Sequence, residues 1–268
     1  MREPWMSRAR GALLAITIAL SMVACESVQT TKSGAVGVER SQHMSPLVSE
    51  KDLRQGAVQA YKEVLGKEQA KGTLNADAGL TARVRGIARH VIPATAAFRP
   101  DAPSWPWEVN VIRSDELNAW CMPGGKIAFY SGLITKLALT DDEIAAVMGH
   151  EIAHALREHA RERASETVTA QIALSAAVAL LGGGQGAFDM ARMAYGVTVG
   201  LPHSRLHETE ADRIGVELAA RAGYDPRAAV GLWQKMGKAG GGKTPELLST
   251  HPSAETRTQD LEVYAARV

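Results

Sequence analysis

Thr140-Asp-Asp-Glu-Ile-Ala-Ala-Val-Met-Gly-His150-Glu151-Ile-Ala-His154-Ala-Leu156 is the stretch from which the rest of the chain can be read. Thr140 followed three residues on by Glu143 is a capping-box signature. It predicts a helix running through Leu156, with Ile144, Val147, Met148 and Ile152 at helical spacing. At about 100° per residue, His150 and His154 fall roughly 40° apart on that helix, one turn above the other. Two imidazoles so placed can grip one tetrahedral ion. Glu151 stands beside them, where a carboxylate can take a proton from water without itself binding the ion.

The spacing His-Glu-x-x-His is that of zinc hydrolases, and a third ligand has to be found. The metzincin pattern fails, because the positions that should carry Gly and His hold Arg157 and Ala160, and His159 is one residue out of register. The second candidate is Ser204-Arg205-Leu-His207-Glu208-Thr-Glu210-Ala211-Asp212-Arg213-Ile-Gly215. Glu208 and Asp212 are one helical turn apart. A helix that aims Glu208 at a metal also places Asp212 to accept from a ligand's second ring nitrogen. The competing reading of this segment is an exposed charged helix.

A His-Glu-x-x-His helix followed about fifty residues later by Ser-Arg-x-x-Glu-x-x-x-Asp resembles the zinc metallopeptidase family of the CAAX prenyl endopeptidase and the heat-shock protease HtpX. Three further stretches are similar to it: Asn118 to Leu133 with its Pro123-Gly-Gly125 turn, Gly223-Tyr-Asp-Pro226 leading to Leu232 through Met236, and Ser249-Thr-His251-Pro252 with Arg257. The similarity is strongest to a bacterial periplasmic lipoprotein branch and to a mitochondrial inner-membrane stress protease of the same family. The resemblance implies one Zn2+ per chain held by His150, His154 and Glu208, with Glu151 as general base and Asp212 and Arg205 as supports. For His251 three roles stand open: surface residue, donor to a developing oxyanion, or reversible fourth ligand that occludes the site, as related periplasmic enzymes suggest.

The length of 268 residues with 46% hydrophobic content suits one globular domain. Residues 1–24 read as a lipoprotein signal peptide, with Arg2, Arg8 and Arg10 before an apolar run from Gly11 to Ala24 that is too short to span a bilayer. Met22-Val-Ala-Cys25 resembles a lipidation site, with Cys25 acylated, and Glu26 rather than Asp points by analogy to the inner leaflet of the outer membrane, facing the periplasm. Residues 25–46, polar and without apolar period, read as a lipid-anchored flexible tether, and 47–268 as the peptidase domain. Cys121 then has no disulfide partner and reads as a buried small apolar residue. A formal charge of +1 that the leader's arginines account for offers nucleic acid nothing.

The fold expected is α+β, mostly helical and zincin-like. Helices cross Asp52–Gly66 and Leu80–Ile92, and a small antiparallel sheet, with strands at Val109–Val111 and Ile127–Tyr130, precedes the metal helix. Ile127–Tyr130 is the candidate edge strand for pairing with extended substrate, its alternative being an internal strand. Val168–Leu181 falls short of a membrane span and reads as an amphipathic or buried helix, with a hairpin that touches lipid as the alternative. Gly237-Lys-Ala-Gly-Gly-Gly-Lys243-Thr244 satisfies the P-loop letters, but it follows a helical pattern rather than a strand, which argues against nucleotide binding. The combined expectation is a periplasmic zinc endopeptidase acting on unfolded or misassembled envelope polypeptides. The alternative is a chaperone-like binding lipoprotein with a plugged zinc site.

Overall fold

The computed structural model describes residues 25–180, 182–196, 201–239, 247, 249, 251 and 257–268, with residues 201–203 described by backbone alone. The expected leader, most of the P-loop-like stretch and Pro252 lie outside the described residues. The fold is α+β and mostly helical, and it divides into two compact units: residues 29–40, 51–160 and 203–268 in one, and residues 41–50 and 161–202 with the chain up to Val28 in the other.

The larger unit holds the site. Helix α1 (Glu50–Ala70) enters it after its first residue, and α2 (Ala78–Ala94) starts at Asp77, whose side chain accepts from Leu80 N. Three strands follow, β3 (Glu108–Ile112), β4 (Ala119–Met122) and β5 (Lys126–Tyr130). The order in the sheet is β3-β5-β4, with β5 parallel to β3 and antiparallel to β4. The sheet is therefore mixed rather than antiparallel, and β5 is its centre rather than its edge. Lys126 through Phe129 are buried, as suits a central strand covered on both faces. The edge beside the turn at Gly124 and Gly125 is β4.

After the short α3 (Ser131–Lys136) comes α4 (Asp141–Leu156), the helix of the opening stretch. Its capping box forms as expected: Thr140 N donates to Glu143 Oε2 at 2.8 Å and Glu143 N to Thr140 Oγ1 at 3.2 Å. Every residue from Glu143 to Leu156 is buried. The helix packs against α2, β4 and α8 (Ala228–Ala239), with Val84, Ile87, Phe129, Met148, Ile152, Ile214 and Met236 in one core. Helix α7 (Leu201–Arg221) crosses α4 where Gly149 meets Gly215. A Cβ on Gly149 would lie 2.5 Å from the Gly215 carbonyl oxygen, so only glycine permits this approach. Helix α9 (Arg257–Ala265) closes against α8. Gly237 falls within α8, so the P-loop-like letters begin inside a helix and not after a strand.

The expected tether is a correction. Val36 and Val38 are buried in the main core, Lys32 N donates to Phe98 O at 2.8 Å, and Val36 N donates to Glu217 at 3.0 Å. Two valines in a polar stretch make no period, so their burial has no local signature. Tertiary partners decide it.

In the smaller unit β1 (Glu26–Val28) pairs antiparallel with β2 (Gln42–Met44), so the remainder of the expected tether is also ordered. Glu162, on the long helix α5 (His159–Leu180), accepts from Gln42 Nε2 at 3.2 Å and His43 N at 3.2 Å. From Val168 to Leu180, and through α6 (Gln185–Tyr195), no residue is buried. The expected amphipathic or buried helix is neither fully buried nor divided into a dry and a wet face. No helix among the described residues is long and apolar enough to cross a membrane.

Candidate metal centre

Helices α4 and α7 bring His150, His154 and Glu208 together deep in the larger unit, all three buried. His150 Nε2 is 3.1 Å from His154 Nε2 and 3.3 Å from Glu208 Oε2, and His154 Nε2 is 3.4 Å from Glu208 Oε1. A tetrahedral ion with bonds of about 2.0–2.2 Å separates its ligand atoms by roughly 3.3 Å, so the two imidazole nitrogens and the carboxylate already stand at close to the separations a zinc ion requires. His251 supplies a fourth: its Nδ1 is 3.0 Å from Glu208 Oε2 and 3.3 Å from His150 Nε2. Three imidazoles and a carboxylate form a donor set that fits zinc in both chemistry and spacing.

Glu151 completes the constellation. Its Oε1 is buried without a hydrogen-bond partner among the described residues, and His251 Nε2 lies 3.6 Å from it. Burial pushes its carboxyl above the ordinary value, against the pull of His251 and His150. An orphaned, buried carboxylate one residue from a ligand is costly to fold and suited to receiving a proton.

The imidazoles are differentiated by their surroundings. Burial works against protonating His150, but hydrogen bonds to Asp212 and Glu208 carry its pKa up to about 9. Burial takes His154 down to about 3, which keeps its imidazole neutral. Burial alone would raise the Glu208 carboxyl, yet His154 and the hydrogen bonds around it hold it far below the usual carboxylate range.

Asp212 stands where the spacing of α7 placed it: its Oδ1 is 3.0 Å from His150 Nδ1. Arg205, expected as a second support, is instead exposed and makes no ion pair among the described residues. The guanidinium that supports the site belongs to Arg257 of α9. It donates to both Asp212 oxygens at 2.5 and 2.7 Å, reaches Glu208 at 3.4 Å and lies 3.4 Å above the Trp233 ring. It also approaches the backbone oxygen of His251 at 3.4 Å, linking His251 to the site. Arg257 was visible only as part of the His-Pro element, because no spacing rule links it to α7 across 45 residues. Trp233 was marked only as part of the Leu232–Met236 stretch that carries the resemblance, with no role assigned to it. Cys25 is half-buried with Sγ 3.5 Å from Thr169 Oγ1, and Cys121 is half-buried on β4. Burial, with the nearby Glu151 charge, pushes the Cys121 thiol well up.

Comparison with known proteins decides the family: the model of Peptidase family M48 matches residues 79–265. The chain belongs to peptidase family M48. This M48 chain is 35% identical over 212 residues to the mitochondrial metalloendopeptidase OMA1 of Schizosaccharomyces pombe, covering 78% of this chain and 59% of the relative. With the OMA1 of Arabidopsis thaliana it shares 38% over 158 residues, 58% of this chain and 31% of the relative. A beta-barrel assembly-enhancing protease of Yersinia pestis matches at 28% over 167 residues, 58% of this chain and 34% of the relative. The M48 chain thus spans between about a third and three fifths of these relatives' own length. The matched region contains His150, Glu151, His154, Glu208, Asp212, His251 and Arg257.

Proposed function

We propose that this chain is a zinc-dependent endopeptidase of the bacterial cell envelope, lipid-anchored through Cys25 on the periplasmic side of the outer membrane, that cleaves misfolded or misassembled envelope proteins. The observation that carries the reading is the convergence of His150, His154 and Glu208 beside a Glu151 carboxylate whose Oε1 is buried without a hydrogen bond among the described residues. When bound there, zinc supplies a Lewis acid that polarises a peptide carbonyl and makes water a better nucleophile at neutral pH. Glu151 takes the proton from the attacking water and returns it to the leaving amine. Burial that raises its pKa suits both halves of that task. Asp212, gripped by Arg257, holds His150 in the tautomer that keeps Nε2 bare.

Substrate pairing passes from β5, which is internal, to β4 at the edge of the sheet. Helix α4 packs on β4, which puts an edge strand beside Glu151, and main-chain pairing along such an edge reads extended polypeptide with little regard to sequence. This fits substrates defined by being unfolded. The metalloendopeptidase and assembly-protease names of the relatives support the same class.

His251 at the fourth vertex favours a second reading, a zinc-holding binding or chaperone-like lipoprotein whose site is closed by four protein ligands. One assay separates the two. Purified chain is incubated with casein and with unfolded envelope proteins, comparing wild type with Glu151→Gln and His251→Ala, and metal content is measured in each. The peptidase reading requires cleavage that Glu151→Gln abolishes with zinc retained, and faster cleavage when His251 is removed. Zinc in every form with cleavage in none establishes the binding protein instead.

A further inference from the structure

An imidazole that ligates a metal presents one bare nitrogen, so its other nitrogen carries the hydrogen and needs an acceptor. For His150 that acceptor is Asp212. For His154 it is another histidine: His154 Nδ1 lies 2.8 Å from His159 Nδ1, and His159 Nε2 lies 3.1 Å from Glu210 Oε2. With His154 as a zinc ligand, the reading on which this step rests, every hydrogen along the row is determined. His154 Nδ1–H donates to a bare His159 Nδ1, and His159 Nε2–H donates to the Glu210 carboxylate. The reverse order would put a hydrogen on His154 Nε2 and exclude it from the ion.

We infer that His159 and Glu210 are positioning residues of the metal site, fixing the tautomer and ring plane of His154 as Asp212 and Arg257 fix those of His150. The surroundings are built for it. His159 is fully buried and stacks on His207 at 4.3 Å between ring centres, 15° from parallel. Glu210 is held in turn by Arg157, whose Nε donates at 3.0 Å, and by Arg40, whose Nε donates at 2.6 Å. Arg157 is itself fully buried and also donates to the Arg40 carbonyl at 2.9 Å. The segment that looked like a tether therefore braces this side of the centre.

The backbone makes the contact reachable. In an unbroken helix His159 would sit five residues beyond His154, roughly 140° around the axis and facing away from it. Helix α4 ends instead at Leu156, and Glu158 adopts φ 51°, a left-handed conformation few non-glycine residues accept. Arg99 Nη1 anchors the Glu158 carboxylate at 2.6 Å. The chain turns there and α5 begins at His159, which swings the ring back to His154. Its offset from the metzincin register serves this second role. The two ligand histidines thus differ: one donates to an anion, the other to a neutral ring backed by an anion.

The test is zinc affinity, measured by competition with a chromophoric chelator in the full chain carrying Glu151→Gln, alongside the melting temperature of the metal-free form. His159→Leu should weaken zinc binding about 10- to 100-fold. His159→Asn places an amide oxygen near the lost Nδ1 and should recover most of that loss. Unchanged affinity in His159→Leu, or equal losses in both variants, overturns the inference while leaving the zinc reading intact. Absence of zinc binding in the parent chain overturns both. A measurement without substitution at His159 guards against misfolding: nitrogen-15 spectra of the zinc-loaded parent should show hydrogen on Nδ1 of His154 and on Nε2 of His159. Hydrogen on Nδ1 of His159 sinks the proposal.

Discussion

Residues 141–156 form one helix and residues 168–195 hold the end of α5 and all of α6; both stretches are rich in alanine and other apolar residues, and their burial is opposite. In α4 every residue from Glu143 onward is buried, including His150, Glu151 and His154. Among the described residues of the later stretch nothing is buried, and Leu180, Met190 and Met193 are 64%, 75% and 72% exposed. Apolar composition made both segments helical, but it did not choose which would be enclosed. What distinguishes α4 is a set of partners on every side: α2, β4, α8 and, through the glycine crossing, α7. Enclosure makes the polar groups of the site costly, and the same core that desolvates Glu151 also holds His150, His154 and Glu208 close enough to compensate one another.

The contrast can be broken by substitutions whose effects should differ in size. The largest is Glu151→Gln, expected to lower peptide cleavage by roughly 10²- to 10⁴-fold while zinc content stays unchanged, measured by casein hydrolysis and metal analysis. Loss of zinc in that variant would mean Glu151 is structural. Next is Ile152→Ala, which empties a fully buried site in α4 and should cost about 2–5 kcal/mol in denaturant unfolding. The same change at Leu174 in α5, which is only partly buried, should cost much less; equal costs would erase the distinction between the two regions.

Gly149→Ala should come third. Its new methyl meets the Gly215 backbone at 2.5 Å, so α4 and α7 must part, at about 1–3 kcal/mol and with weakened zinc binding. In α6, Gly186→Ala meets nothing within 4 Å and should raise stability by about 0.5–1 kcal/mol. Opposite signs for two identical substitutions, read from melting curves, would be the sharpest form of the comparison. Smallest of all, Met190→Ser on the exposed face should move stability by no more than about 0.5 kcal/mol. A larger loss would show that this face is covered.

Much of the site was legible because helix geometry is local. Residues four apart share a face, so His150 with His154, and Glu208 with Asp212, could be paired before any coordinates. Thr140 and Glu143 marked the helix start for the same reason. Arg257 and Glu210 could not be found this way. Their partners lie 45 and 51 positions distant in the chain, and no periodicity spans such separations. The strand order failed for a related reason: β4 and β5 announce their hairpin through the turn at Pro123-Gly124-Gly125, but the parallel pairing of β3 with β5 has no turn to mark it.

By itself the sequence determined the candidate metal helix and its cap, the shared face of His150 and His154 with Glu151 beside them, and the one-turn pairing of Glu208 with Asp212, since each follows from short-range spacing; the resemblance to a family joined the two helices into one candidate site. Only the tertiary structure decided that β4 rather than β5 is the edge, that Val36 and Val38 belong to the core, and that Arg257 rather than Arg205 braces Asp212. It alone brought His251 to the fourth vertex and turned His159 back onto His154. Those choices depend on which surfaces meet when the core closes, and the free energy of burying one surface against another is written in no single stretch of the chain.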